Sequence, residues 1–167
     1  MSIYYQCRLK EVVLDLTSRS DIIQWLTNVK QNECKEIEKS LPGELLEKDR
    51  IACLHNIFEK DLNMYINFKN VNDLRYVTLD LCIGNKNTDD DIENLLLLFS
   101  KYYISGQVYY WDERRMCKVN LSTMRTDPDY VLGDDYISLI EDEFEYGYTG
   151  IPDNVKSREY YLHDGLE

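Results

Sequence analysis

Four acidic residues lie close together at Asp89, Asp90, Asp91 and Glu93, and a cluster of this kind could bind a divalent cation. Hard cations take several carboxylate oxygens at once. However, neighbouring residues on a helix point in different directions, and these acids span only about one turn. Carboxylates there suit the positive end of a helix dipole, and Asp90 and Glu93 have capping-box spacing. We therefore expect a helix start rather than a metal site.

A second acidic pattern, Asp127-x-Asp129, resembles the beginning of a calcium-binding loop. The sixth position of that loop would be Leu132 where glycine is needed, and the twelfth would be Ser138 where a bidentate glutamate is needed. The two histidines, His55 and His163, have no second ligand at helical or turn spacing. The sequence thus predicts no metal site and no cofactor.

Nucleophilic catalysis has no recognisable motif in this chain. It contains neither a G-x-S-x-G elbow nor a glycine-rich phosphate loop. The five cysteines are odd in number and lack C-x-x-C spacing, which is typical of reduced thiols. A pairing such as Cys7 with His55, or a pair of converging carboxylates, leaves a small enzyme with an unrecognised site as an open alternative. The cysteines are Cys7, Cys34, Cys53, Cys82 and Cys117.

The distribution of charge is the most informative feature of the sequence. Residues 1–126 contain 19 acids and 17 bases, whereas residues 127–167 contain 12 acids and two bases, so net charges of −2 and −10 sum to the −12 of the chain. Six of the 14 tyrosines also lie in this C-terminal quarter. Carboxylates steer a basic partner and tyrosines supply contact area. The predicted partner-binding residues are Asp129, Tyr130, Asp134, Asp135, Tyr136, Glu141, Asp142, Glu145, Tyr146 and Tyr148.

In size, acidity and lack of a catalytic motif, the chain is similar to bacterial immunity proteins and antitoxins, a likeness that covers no motif. We therefore expect a non-enzymatic inhibitor that neutralises a basic protein partner such as a toxin nuclease. We expect no direct binding to nucleic acid or membranes, because an acidic surface repels phosphates. One alternative is a phage or mobile-element anti-defence protein that imitates nucleic acid charge. Another is a solvated acidic face whose aromatic residues complete the core.

The first 60 residues predict a strand followed by two helices. Apolar residues alternate from Ile3 and become denser up to Leu16, which indicates a long strand. Apolar residues then recur with a helical period over residues 20–41, with Ser20 as the expected N-cap, until Pro42-Gly43 interrupts them. A second helix is expected at about residues 44–60.

The rest of the chain predicts two hairpins and two further helices. The first hairpin pairs residues 62–68 with 77–83 through the turn at 70–73, and the second pairs 107–111 with 116–122 through a charged tip at 112–115. A helix with an apolar face of Ile92, Leu95, Leu96 and Phe99 lies between them, and a short helix capped by Asp134 follows the second.

Because hairpins dominate over β-α-β units, we expect an α+β fold with a mainly antiparallel sheet of about five strands, packed by three to four helices. Residues 1–167 are expected to form a single domain with an acidic C-terminal quarter at 127–167. The longest apolar run, Leu95 to Phe99, is too short to cross a bilayer, and the first residues do not resemble an export signal. We expect a cytoplasmic protein.

Overall fold

The secondary structure was obtained from a computed structural model, which describes residues 4–31, 33–45, 66–86, 90–111, 115–130 and 156–157. Three α-helices and seven strands lie within these residues. The helices are α1 (Ser20–Lys30), α2 (Cys34–Lys39) and α3 (Asp90–Ser100), with a 3₁₀ turn at Gly43–Leu45. The strands are β1 (Tyr4–Asp15), β2 (Ile66–Val71), β3 (Leu74–Lys86), β4 (Tyr103–Trp111), β5 (Arg115–Asn120), β6 (Arg125–Thr126) and β7 (Lys156–Ser157).

All seven strands belong to one sheet. Six of them are antiparallel in the order β2-β3-β1-β4-β5-β6, and β7 pairs in parallel with β5. The predicted α+β class with a mainly antiparallel sheet is confirmed. The five longer strands are the N-terminal strand and the two hairpins expected from the sequence, while β6 and β7 are too short to leave a periodic pattern.

One face of the sheet forms the core. Leu81, Leu9, Val108 and Val119 are register neighbours across β3, β1, β4 and β5, and all four are buried. Buried residues of α1, α2 and α3 belong to the same apolar cluster, so the helices cover this face. The predicted apolar face of α3 is confirmed, since Ile92, Leu95, Leu96 and Phe99 are all buried.

Strand β1 contains a bulge that keeps its apolar residues on the core side. The register with β3 shifts between Leu9 and Val12, and Glu11 has a φ of 50°. Side chains alternate along a strand, so Leu9 and Val12 would otherwise lie on opposite faces. The extra residue changes the phase, and both are buried. Gly106 of β4 lies against this bulge, with a φ of 108°.

The β2–β3 hairpin is confirmed from Ile66 onward, although its turn is shorter than predicted, and residues 62–65 of the predicted first strand lie outside the described residues. Val71 pairs with Leu74, which leaves only Asn72 and Asp73 in the turn. Their φ values of 49° and 66° are typical of a two-residue turn that favours asparagine and aspartate. The alternation predicted for β2 is only partly right. Ile66 is buried but Phe68 is 36% exposed, because β2 lies at the end of the strand order of the described sheet.

The single helix predicted over residues 20–41 is wrong, because α1 ends at Lys30 and α2 begins at Cys34. The Glu33 amide donates to the Asn28 carbonyl at 3.2 Å, a five-residue span that closes a helix end. The buried Asn28 side chain then donates to the Ser40 hydroxyl at 2.8 Å and joins the two helices. In sequence, the sign of this break is the absence of aliphatic and aromatic residues between Val29 and Ile37.

The predicted Ser20 cap is also wrong. Helix α1 begins at Ser20 itself, and Arg19 occupies the N-cap position without a side-chain cap. Its guanidinium instead binds the carboxylate of Asp21 in the first turn at 2.9 Å.

The second hairpin is confirmed as β4 and β5. Its tip at 112–114, the helix predicted at about 44–60 beyond Leu45 and the helix predicted to start at Asp134 lie outside the described residues.

Candidate functional site

The predicted partner-binding segment begins in a turn that is anchored to the sheet. The Asp127 amide donates to the Lys118 carbonyl of β5 at 2.8 Å. The Asp127 carboxylate accepts the Asp129 amide at 2.9 Å, and Pro128 between them fixes the backbone angle of the turn. Asp129 is exposed. This turn therefore places the first acid of the segment in solvent beside β5 and β6.

Tyr130 lies in a different environment from Asp129. Its ring contacts the Tyr109 ring edge-to-face, with centroids 5.9 Å apart and planes at 62°. Tyr109 belongs to the sheet face opposite the core and is buried, whereas Tyr130 is half-buried. Tyr130 therefore anchors the turn to the sheet, while part of its side chain remains exposed to solvent. The other eight predicted residues, Asp134, Asp135, Tyr136, Glu141, Asp142, Glu145, Tyr146 and Tyr148, lie outside the described residues.

An open groove of about 670 Å³ lies directly beside this turn. It runs over β4, β5 and β6 and the turn that joins β5 to β6. Sequence reasoning missed it, because its residues come from separate strands and share no motif. Its polar lining residues include Gln107, Lys118, Asn120, Ser122, Arg125 and Asp127.

The two amide side chains of the groove have their oxygens occupied by the protein itself. The Asn120 side-chain oxygen accepts the Ser122 amide at 3.1 Å. The Gln107 side-chain oxygen accepts the Tyr109 hydroxyl at 3.0 Å. Each amide therefore keeps its NH₂ group as a donor. With Lys118 and Arg125 beside them, four lining side chains present hydrogen-bond donors to the groove.

The cysteine thiols that the structure describes are poorly suited to nucleophilic catalysis. Cys7 and Cys117 are buried and are not joined in a disulfide. Burial, followed by the proximity of Cys117, raises the pKa of Cys7 far above its usual range, against a smaller opposing effect of Arg8. A thiol that resists ionisation is a weak nucleophile. His55, the base weighed as a partner for Cys7, lies outside the described residues.

The same part of the chain contains no cluster of three or more histidine, cysteine, aspartate or glutamate side chains that could hold a metal ion. Asp90 lies on α3, as the helix-start interpretation requires, whereas Asp89 is outside the described residues. His163 is outside them as well.

Arg19 lies at the centre of an ion-pair network in the described part of the chain. It binds Glu44 at 2.6 Å and Asp21 at 2.9 Å, and it also donates to the Tyr102 hydroxyl. These bonds raise the pKa of Arg19 and lower the pKa of Asp21. The Arg19 bond, only partly opposed by desolvation, lowers the pKa of Glu44 to about 2. Every member is paired within the protein, so the network joins α1, the 3₁₀ turn and the start of β4.

Comparisons with known protein families, with curated protein sequences and with solved structures found no match for this chain. No α-helix within the described residues has the length and hydrophobicity needed to cross a membrane.

Proposed function

We propose that this protein is a non-enzymatic, immunity-type inhibitor that binds and neutralises a basic protein partner, a toxin nuclease in the cytoplasm of the same bacterial cell. The binding surface is formed by acids and tyrosines of residues 127–161. One observation carries the proposal: a net charge of −10 is concentrated in the last 41 residues, while the preceding 126 residues carry −2.

The physical advantage of such a surface is the rate of association. Unsteered docking of two proteins proceeds at about 10⁵–10⁶ M⁻¹s⁻¹, and complementary charge raises that rate by orders of magnitude. An inhibitor has to reach a toxin before the toxin reaches its substrate. A concentrated negative charge therefore suits this role better than a uniformly acidic surface.

The beginning of the segment supports this proposal. Asp127 and Asp129 are fixed by the turn next to β5, and Tyr130 packs against Tyr109. Because the turn holds the beginning of the segment in place, less conformational entropy is lost when a partner binds. Because Asp129 is exposed at this anchored position, it is accessible to a partner that approaches beside β5 and β6.

Two charge-reversal variants test the proposal. In the first, Asp135, Glu141 and Glu145 are changed to lysine. In the matched control, the exposed acids Glu33, Glu36 and Glu38 around α2 are changed to lysine. Both variants alter the net charge equally, so they separate the position of the acids from the total charge. Circular dichroism melting checks that each variant folds.

The wild-type protein and both variants are used for affinity purification from the native host, and retained proteins are identified by mass spectrometry. We expect the wild type and the control to retain the same basic protein, and the C-terminal variant to lose it. The purified partner should show a nuclease activity that the wild type inhibits. Equal retention by the folded C-terminal variant would contradict the proposed surface, and a partner whose activity is unaffected would contradict inhibition.

A further inference from the structure

We propose that the groove over β4, β5 and β6 binds the phosphate group of a small molecule. This site goes beyond the proposed inhibitor function, because its cations and amide donors belong to the sheet, although Asp127 at the start of the acidic segment also lines the groove. Arg125 and Lys118 supply the charge, and Gln107 and Asn120 supply neutral donors.

The two cations of the groove, Lys118 and Arg125, are the first feature that favours a phosphate. Arg125 pairs in register with Asn120 of β5, and Lys118 lies two residues before Asn120 on the same strand. Within the described residues, neither Lys118 nor Arg125 forms an ion pair. The Lys118 ammonium lies 5.8 Å from the centroid of the Tyr109 ring, a contact that leaves its N–H donors available. Two cations without carboxylate partners on adjacent strands favour an anion.

The hydrogen-bond donors of the groove are the second feature that favours a phosphate. Gln107 and Asn120 both present NH₂ groups, since their oxygens accept hydrogen bonds from Tyr109 and Ser122. A phosphate monoester near neutral pH is mainly a dianion with three acceptor oxygens, so it complements this set. A bound cation would need acceptors, but Asp127 is the only acid among the described lining residues, and one of its oxygens accepts the Asp129 amide.

The size of the groove and the charge of the chain select the class of ligand. A volume of about 670 Å³ lies within the range of small-molecule sites, roughly 300–1,000 Å³. A polyanion such as nucleic acid would extend beyond the groove over a chain of net charge −12 and be repelled. A small phosphate ester meets mainly the local charges, because salt screens the others over about 8 Å at physiological ionic strength.

Titration with inorganic phosphate and with ribose 5-phosphate, followed by amide chemical shifts at constant ionic strength, tests the site. We expect saturable shifts confined to residues around 107 and 118–127, with tighter binding of the ester. Arg125→Gln and Lys118→Gln should each weaken binding about tenfold, the effect of losing a hydrogen bond to a charged group. Asp127→Asn removes a like charge, keeps an acceptor for the Asp129 amide and should strengthen binding.

Lys35→Gln is the matched control, because it removes one positive charge from the exposed surface of α2, on another element. Unchanged binding by Lys35→Gln together with the opposite effects of Arg125→Gln and Asp127→Asn would support the site. Non-saturating shifts spread over the surface, or equal weakening by Lys35→Gln and Arg125→Gln, would overturn it. If Arg125→Gln does not fold, the Lys118→Gln and Asp127→Asn pair decides the same question.

Discussion

At the scale of single residues, Gly106 and Glu11 explain how β1 keeps an apolar face from Cys7 to Leu14. The sequence contains a sign of this bulge, because the spacing of the apolar residues on the core face changes. Cys7 and Leu9 are two residues apart, whereas Leu9 and Val12 are three apart. We interpreted this as a strand that becomes more buried, since sequence does not show which residue pairs with which. A phase change in an otherwise alternating strand predicts a bulge. The glycine that accommodates it lies almost a hundred residues away and could not be predicted.

Gly106→Ala should strongly destabilise the protein. A Cβ at this position would lie 2.4 Å from the Glu11 carbonyl oxygen and 2.5 Å from the Val12 Cα, and the φ of 108° is itself unfavourable for alanine. We expect a loss of about 2–5 kcal/mol in the free energy of unfolding, measured by urea denaturation. Gly43→Ala is the control, because its Cβ would meet nothing within 4 Å. A Gly106→Ala protein as stable as Gly43→Ala would contradict the close approach at the bulge.

Arg8 is a second residue whose role sequence could not reveal. It lies on the sheet face opposite the core, is only 1% exposed, and binds Asp80 of β3 at 2.6 Å. Its guanidinium also donates to the carbonyl oxygens of Leu9 and Leu81. An arginine in an alternating strand is ordinarily assigned to solvent, because nothing local in the sequence indicates that this outer face is buried as well.

Asp80→Ala should cost about 3 kcal/mol of stability, because it removes the carboxylate partner of a buried guanidinium. Arg8→Met/Asp80→Leu should recover part of that loss, since replacing both charges by apolar side chains removes the uncompensated one. Thermal and urea unfolding of Arg8→Met, Asp80→Leu and the double variant give the coupling energy. Strictly additive effects would show that the two side chains do not stabilise each other.

At the scale of elements, the helices show where periodicity succeeds and where it fails. Helix α3 was predicted because four apolar residues share one face within eleven residues. The helix over 20–41 was wrong because apolar residues recur on both sides of a break, and a period alone does not show that the chain between them is helical. The hydrogen bond from Glu33 to Asn28 that ends α1 uses backbone groups, which leave no pattern in the sequence.

The Arg19 network joins α1 to the 3₁₀ turn and should make stability depend on pH. The pKa of Glu44 is lowered to about 2 from an ordinary value of 4.5, so the unfolded chain takes up a proton first as the pH falls. The stabilisation is complete above about pH 4.5 and is lost between pH 4.5 and 2. Glu44 is partly exposed, so we expect a contribution of about 1 kcal/mol rather than the full value of the shift.

Glu44→Gln should therefore flatten the dependence of unfolding free energy on pH between about 2 and 4.5, and should lower stability at neutral pH. Some dependence will remain, because Asp21 also has a lowered pKa from its bond to Arg19. Glu38→Gln is the control, since Glu38 is exposed and forms no ion pair within the described residues. Parallel curves for Glu44→Gln and the wild type would show that the network does not stabilise the fold.

At the scale of the whole molecule, the sequence predicted the α+β class and the mainly antiparallel sheet, because alternation and turn residues are local signals. The groove was not predictable, because Gln107, Lys118 and Arg125 come together only through the pairing of β4, β5 and β6. The candidate interface stays a prediction from charge, with Asp129 and Tyr130 placed by the structure. An uneven charge distribution is visible in sequence because it needs no tertiary contact to be recognised.

The same uneven charge makes a quantitative prediction about association with the proposed basic partner. Steering acts over a distance set by salt, about 30 Å at 0.01 M and about 8 Å at 0.15 M. The association rate constant of the wild type should therefore fall about tenfold or more over this range, while dissociation changes little. The variant with lysine at Asp135, Glu141 and Glu145 should associate more slowly at low salt, and its association rate should depend less steeply on salt.

The control with lysine at Glu33, Glu36 and Glu38 should keep most of the wild-type slope, because its changes lie outside the acidic segment. Stopped-flow or surface-based kinetics measure both rate constants. If the two triple variants had the same slope, net charge rather than the C-terminal acids would control encounter, and the segment 127–161 would lose its assigned role.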